Sequence, residues 1–121
     1  MVDHIGLKTR DLAASVRFYQ AALAPLELVL ASQDASGAGL GPPGAPALWL
    51  SPHARGHGGL GVHLAFTARN RGAVDRFHAA GLAAGGTDNG APGLRADYGP
   101  TYYAAFLLDP DGNNVEAVCI R

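Results

Sequence analysis

The 121 residues include a single cysteine, Cys119, so no disulfide can close within the chain, and a reducing compartment is expected. Charge is sparse and balanced. Nine Lys and Arg stand against ten Asp and Glu, a net charge of −1 with the two signs interspersed. There is therefore no basic stripe to track a phosphate backbone and no basic face for an anionic membrane. No apolar run approaches the roughly 18 residues of a membrane-spanning helix. The opening Met1-Val2-Asp3-His4 leads straight into a strand pattern, without the charged and then apolar segments of a secretory leader. A soluble, cytoplasmic protein is the expectation.

What the chain has instead is apolar content and glycine. Hydrophobic residues make up 48%, enough to build a core and to exclude disorder. The 17 glycines and 8 prolines gather at 37–46, 56–61, 85–93 and 99–100, which marks loops or short strands between periodic segments.

The chain repeats itself. Residues 4–23 align with 63–82, with identities at His4/His63, Arg10/Arg69, Ala14/Ala73, Arg17/Arg76, Phe18/Phe77, Ala21/Ala80 and Leu23/Leu82. Two copies of one supersecondary unit that pack together explain this. Each copy opens with alternating apolar residues, at 2–8 and 61–67, so each begins with a strand that has one face on a core. Helices follow. Asp11 or Thr9 caps the first, which stops at Pro25; Asn70 caps the second, which ends at Gly85-Gly86. Short strands complete each copy, near 27–32, 38–41 and 47–51, then near 87–94, 102–108 and 113–120. Asp109-Pro110-Asp111-Gly112 forms the last hairpin turn. The fold class is α+β, a single domain over 1–121 built from two βαβββ modules, 1–55 and 60–121.

The repeat sets His4 and His63 at equivalent positions, both turned from the face that the helices cover. In the last strand Asn114, Glu116 and Val118 share one face, and Glu116 lies in an otherwise apolar stretch, Val115-Glu-Ala-Val-Cys-Ile. A buried, unpaired carboxylate costs several kcal/mol by a rough estimate, so it must be paired, protonated or on a metal. Two imidazoles and one carboxylate form a facial ligand set for Zn, Mn, Ni, Co or Fe, with positions open for water or substrate. The competing assignment is a pair of ordinary strand histidines and a salt-bridged glutamate.

Other residues divide in the same way. Trp49, Tyr102, Tyr103 and Phe106 line an apolar substrate pocket or belong to the core and sheet edges. Arg95 and Tyr98 lie in the Gly/Pro-rich segment 85–100, which either covers a cleft, bringing a cation to an anionic substrate, or is a solvated loop. His53 and His57 are expected to be exposed, His78 to lie at a helix surface, and Cys119 to be a buried, inert thiol.

The segments His4-Ile-Gly-Leu, Asp11-Leu-Ala-Ala-Ser-Val-Arg-Phe-Tyr, His63-Leu-Ala-Phe and Asp109-Pro-Asp-Gly-Asn-Asn-Val-Glu116 resemble those of the glyoxalase/bleomycin-resistance/dioxygenase (vicinal oxygen chelate) superfamily over essentially the whole chain. The resemblance implies a glyoxalase-like open barrel completed in a homodimer, where His4 comes from the same chain or from the partner. It implies a divalent metal on His4, His63 and Glu116, and a small oxygenated substrate undergoing lyase, isomerase or thiol-transfer chemistry. Trp49, Arg95, Tyr98, Tyr102 and Phe106 would meet that substrate. Repeat symmetry puts Trp49 near the place of a carboxylate ligand in glyoxalase I, which favours a three-ligand site. The alternative within the same family is a metal-free protein that sequesters a small molecule or antibiotic.

Overall fold

The computed structural model describes residues 1–56 and 61–121. The first module runs β1 (Ile5–Thr9), α1 (Leu12–Leu23), a 3-10 turn (Ala24–Leu26), β2 (Val29–Asp34), β3 (Gly37–Gly41) and β4 (Leu48–Pro52). The second runs β5 (His63–Thr67), α2 (Arg71–Ala83), β6 (Thr87–Leu94), β7 (Tyr103–Leu108) and β8 (Asn114–Cys119). The sheets have the orders β1-β4-β3-β2 and β5-β8-β7-β6. In each, the first and last strands pair in parallel and the others antiparallel. The repeat is thus a repeat of topology, and the α+β architecture of two βαβββ units is as expected.

Each helix begins where its cap dictates. Asp11 accepts from the Ala14 amide at 3.1 Å, and Asn70 from the Ala73 amide at 2.8 Å. Thr9, the other candidate cap, is buried and bonds to Ser15 Oγ at 2.6 Å. The strand expected from Glu27 starts later, at Val29. Pro25 seeds the 3-10 turn, and Glu27 closes it in the left-handed region at φ 65°, where a strand cannot begin. Helices and sheets share one core. It includes Phe18, Tyr19 and Leu23 of α1, Leu7, Leu40 and Leu50 of the first sheet, Val74 and Phe77 of α2, and Leu107, Val115 and Ala117 of the second sheet. Cys119 is buried in this core, as expected of an inert thiol. His53 is exposed, and His57 lies outside the described residues.

His78 is a correction. It was expected at the surface, but it is only 9% exposed, and its Nε2 lies 2.8 Å from Asp88 Oδ1 at the start of β6. It follows Val74 by one helical turn and so falls on the buried face, where Asp88 supplies its partner.

The β7–β8 hairpin fastens the two modules together. Asp109 is 5% exposed, and its carboxylate accepts four hydrogen bonds. Two come from the amides of Asp111 and Asn113, both at 2.9 Å. The others come from Asn113 Nδ2 at 2.8 Å and from the Tyr19 hydroxyl of α1 at 2.6 Å. Burial, and then the adjacent Asp109 charge, hold the Tyr19 phenol well above its ordinary pKa, so it remains a donor. Asp111 accepts from Arg10 N at 3.0 Å and from Arg10 Nε at 3.1 Å. The corresponding turn of the first module, Pro42 to Ala45, closes with the same bond, Ala45 N to Pro42 O at 2.9 Å against Gly112 N to Asp109 O at 2.9 Å, yet carries no carboxylate.

Three stability measurements follow. Tyr19→Phe leaves Asp109 short of one donor in a buried site and should cost about 1–3 kcal/mol, read as a lower urea midpoint with an unchanged slope. Gly81→Ala sets helix propensity, worth about 1 kcal/mol in favour, against crowding. Its Cβ would lie 2.3 Å from Leu107 Cδ1 and 3.3 Å from Ala22 Cβ. Leu107 is fully buried, so overpacking of about 1–3 kcal/mol should win and the melting temperature should fall.

The third concerns pH. Burial works to raise the Asp111 pKa but is outweighed by hydrogen bonds from Thr9 and Arg10, so the carboxyl titrates below its ordinary value. A depressed carboxylate stabilises the fold at neutral pH, and that contribution is lost as pH falls through the folded-state value. The stability gap between wild type and Asp111→Asn should therefore be widest above the ordinary carboxylate range and close as the pH falls through the lowered folded-state value. A gap that widens on acidification would contradict this account.

Candidate functional site

On the second sheet the strand registers place His63 opposite Asn114, and Ala65 opposite Glu116, with Phe106 on the other side of Glu116. Alternation along β8 sends Val115, Ala117 and Cys119 into the core and Asn114 and Glu116 to the face without helices. There they line a cavity of about 700 Å³ together with His63 and Phe106. Asp97, Tyr98 and Tyr102, from the β6–β7 connection, complete its wall.

Glu116 is 3% exposed and both of its oxygens are engaged. Oε1 lies 3.2 Å from His63 Nε2, and Oε2 accepts a short hydrogen bond from the Tyr102 hydroxyl. That bond, together with partial burial, pushes the Tyr102 phenol up to about 12, so it stays protonated and donates at any ordinary pH. His63 is oriented from its other side, with Nδ1 3.2 Å from the Asn114 carbonyl oxygen. A carbonyl only accepts, so Nδ1 carries the proton and Nε2 is the atom presented to Glu116. The His63 ring stacks near Phe106 with centroids 6.4 Å apart.

Of the residues singled out in the sequence, His63, Glu116, Tyr98, Tyr102 and Phe106 come together here. His4 does not join them within the chain. It bonds to Asp3 at 2.7 Å and lines a separate, mainly apolar cavity of about 300 Å³ between the modules. Among the described residues, no three His, Cys, Asp or Glu side chains of one chain gather as a metal-ligand group. Arg95 stands beside the site with its guanidinium 5.4 Å from the Phe106 ring centroid. Its donors are turned back onto the Gly93 and Ala91 carbonyls, at 3.0 Å and 2.7 Å. Tyr103 lies on the opposite face of β7, bonded to Asp75 at 2.7 Å.

Trp49 lies in the other sheet. Its register shows its relation to Glu116: Gly6 and Gly39 flank Trp49 as Ala65 and Phe106 flank Glu116. The indole covers Gly39 so closely that a Cβ there would come within 2.5 Å of the ring. Asp97 and Asn114 were not singled out in the sequence. Asn114 was within reach, standing two residues before Glu116 and therefore on the same face. Asp97 depends on how the loop folds back, for which the sequence carries no signal.

The residues present fit a divalent cation. Bonds of roughly 2.1 Å from one ion to a nitrogen and an oxygen, at an angle near 100°, separate those two atoms by about 3.2 Å. His63 Nε2 and Glu116 Oε1 stand 3.2 Å apart.

The family model of the Glyoxalase/Bleomycin resistance protein/Dioxygenase superfamily matches residues 1–117. No curated protein matches the chain. Among solved structures, a glyoxalase/bleomycin resistance protein from Albidiferax ferrireducens T118 is 30% identical, with 98% of each chain covered and a TM-score of 0.78. A glyoxalase/bleomycin resistance protein/dioxygenase family enzyme from Burkholderia phytofirmans PsJN is 23% identical, with 98% of each covered and a TM-score of 0.74. A glyoxalase-related enzyme from Fulvimarina pelagi is 22% identical over 98% of this chain and 87% of that one, again with a TM-score of 0.74. The last two likenesses speak to fold alone. With its motifs, its duplicated βαβββ topology and a match over nearly its full length, the chain belongs to the Glyoxalase/Bleomycin resistance protein/Dioxygenase superfamily.

Proposed function

We propose that this protein is a divalent-metal-dependent enzyme acting on a small oxygenated substrate, with lyase, isomerase or thiol-transfer chemistry, and that it works as a cytoplasmic homodimer. The observation that carries this reading is the pair His63 Nε2 and Glu116 Oε1. With the proton on Nδ1, Nε2 offers a lone pair to a carboxylate oxygen, and two acceptors at 3.2 Å repel unless something positive stands between them. A cation does this, and His63 and Glu116 would be two of its ligands. The third would be His4 of the partner subunit, since His4 is equivalent to His63 in the repeat and joins no ligand cluster in its own chain. A metal at this point would act as a Lewis acid on substrate oxygen.

The chain's own residues have separate tasks. Asn114 holds the His63 tautomer, and Tyr102 holds Glu116. Phe106 and Tyr98 give the cavity aromatic walls for an apolar part of the substrate, while Arg95 supplies positive potential from behind Phe106. Trp49, exposed on the first sheet, would line the same space from a partner subunit.

One observation favours a second reading, a metal-free protein that sequesters a small molecule. Both Glu116 oxygens already have protein partners, so a second proton on His63 would make the site an ion pair and leave its charge balanced. Metal content separates the two. Untagged protein purified anaerobically should carry one equivalent of metal per chain by mass spectrometry, and His63→Ala, Glu116→Gln and His4→Ala should each lose it. Mixing His4→Ala with Glu116→Gln chains should restore about a quarter of the sites, because half of the randomly exchanged dimers hold one intact site. Wild-type protein without metal above background at neutral pH would establish the sequestering reading instead.

A further inference from the structure

The Tyr102 hydroxyl, in the cavity wall, donates to a protein group, Glu116 Oε2. We infer that Tyr102 is a positioning residue that makes Glu116 a one-oxygen ligand: it claims Oε2 and leaves Oε1, the atom facing His63, to the cation. The inference rests on the metal-dependent reading above and deepens it.

The local structure holds Tyr102 in this role. It stands immediately before β7 and, by alternation, on the face that carries Ala104 and Phe106. Phe106 is the direct cross-strand neighbour of Glu116. Between Tyr102 and Phe106 on this face stands Ala104, whose small methyl occupies little of the space beside the Tyr102–Glu116 bond. The residue is fixed at both ends of its backbone, with its carbonyl accepting from Arg95 N at 2.8 Å and its amide donating to Gly99 O at 3.3 Å. Tyr98 packs edge-on against the ring, with centroids 5.3 Å apart.

Carboxylates bind metals through one oxygen or two. An oxygen already accepting a short O–H hydrogen bond is a poorer second donor, and the bond also fixes the rotation of the carboxylate. On the other ligand, Asn114 does the same work by fixing the His63 ring through Nδ1. Each ligand supplied by this module therefore has one supporting partner, and both partners come from β8 or from the residue that leads into β7.

The probe is cobalt(II) alone, bound to the full chain, with affinity measured by chelator competition and coordination followed by the visible absorption of the bound ion. Tyr103→Phe is the control, since Tyr103 bonds to Asp75 on the opposite face. Tyr102→Phe should weaken cobalt binding 10- to 100-fold, on the order typical of lost supporting hydrogen bonds. It should also change the visible spectrum as Oε2 becomes free to coordinate, while Tyr103→Phe matches wild type in both. A Tyr102→Phe protein that binds cobalt within twofold of wild type and with the same spectrum overturns the inference and leaves the metal-dependent reading standing. Wild-type protein that takes up no cobalt overturns both.

Discussion

The arrangement of this molecule depends on one buried carboxylate that lies outside the candidate site. Asp109 collects two backbone amides, one side-chain amide and the Tyr19 hydroxyl, which are enough donors to keep a charge inside the core. Three of those bonds shape the β7–β8 turn, and the fourth ties it to the helix of the other module. Asn113, held by Asp109, in turn accepts from Val62 N at 3.0 Å just ahead of β5. Loop, helix and the lead-in to the His63 strand therefore share one anchor, and β8 leaves that anchor in a register that puts Glu116 beside His63.

Glu116 depends on similar satisfaction of a buried charge, with a different outcome. Its partners Tyr102 and His63 both face a cavity rather than a core, so its charge is held where an incoming group can reach it. The symmetry of the repeat makes the contrast with the first module plain. At the corresponding position Trp49 lies over glycine, and the corresponding hairpin turn has Pro42 in place of Asp109. On its open face the second half of the duplicated fold carries His63 and Glu116, and the first half has His4 and Trp49 at the corresponding positions.

Much of this was legible in the sequence because it rests on local rules. The 59-residue offset announced two units, Asp11 and Asn70 announced the helix starts, and a lone carboxylate in an otherwise apolar strand announced Glu116 as a group needing a partner. The DPDG turn was legible as a turn but not as a clasp, since its bond to Tyr19 spans 90 residues. His78 was misread because its burial depends on Asp88, which comes from another element. Tyr102 was recognised as facing the site, yet its partner was not, because an aromatic that lines a pocket and one that holds a carboxylate leave the same trace in a strand pattern. His4 shows the limit of reading a repeat: equivalence of position told where the residue sits in its own module, not which module it looks towards.

The indole of Trp49 seated on Gly39 carries an implication for how such a duplicated fold can change. The two positions are interlocked, since glycine makes room for the ring and the ring covers the bare backbone. An acidic group placed at 49 would uncover Gly39 at the same stroke, so a change at one position is felt at the other. The difference between the halves is therefore built into packing at positions 39 and 49 as well as into the choice of side chain.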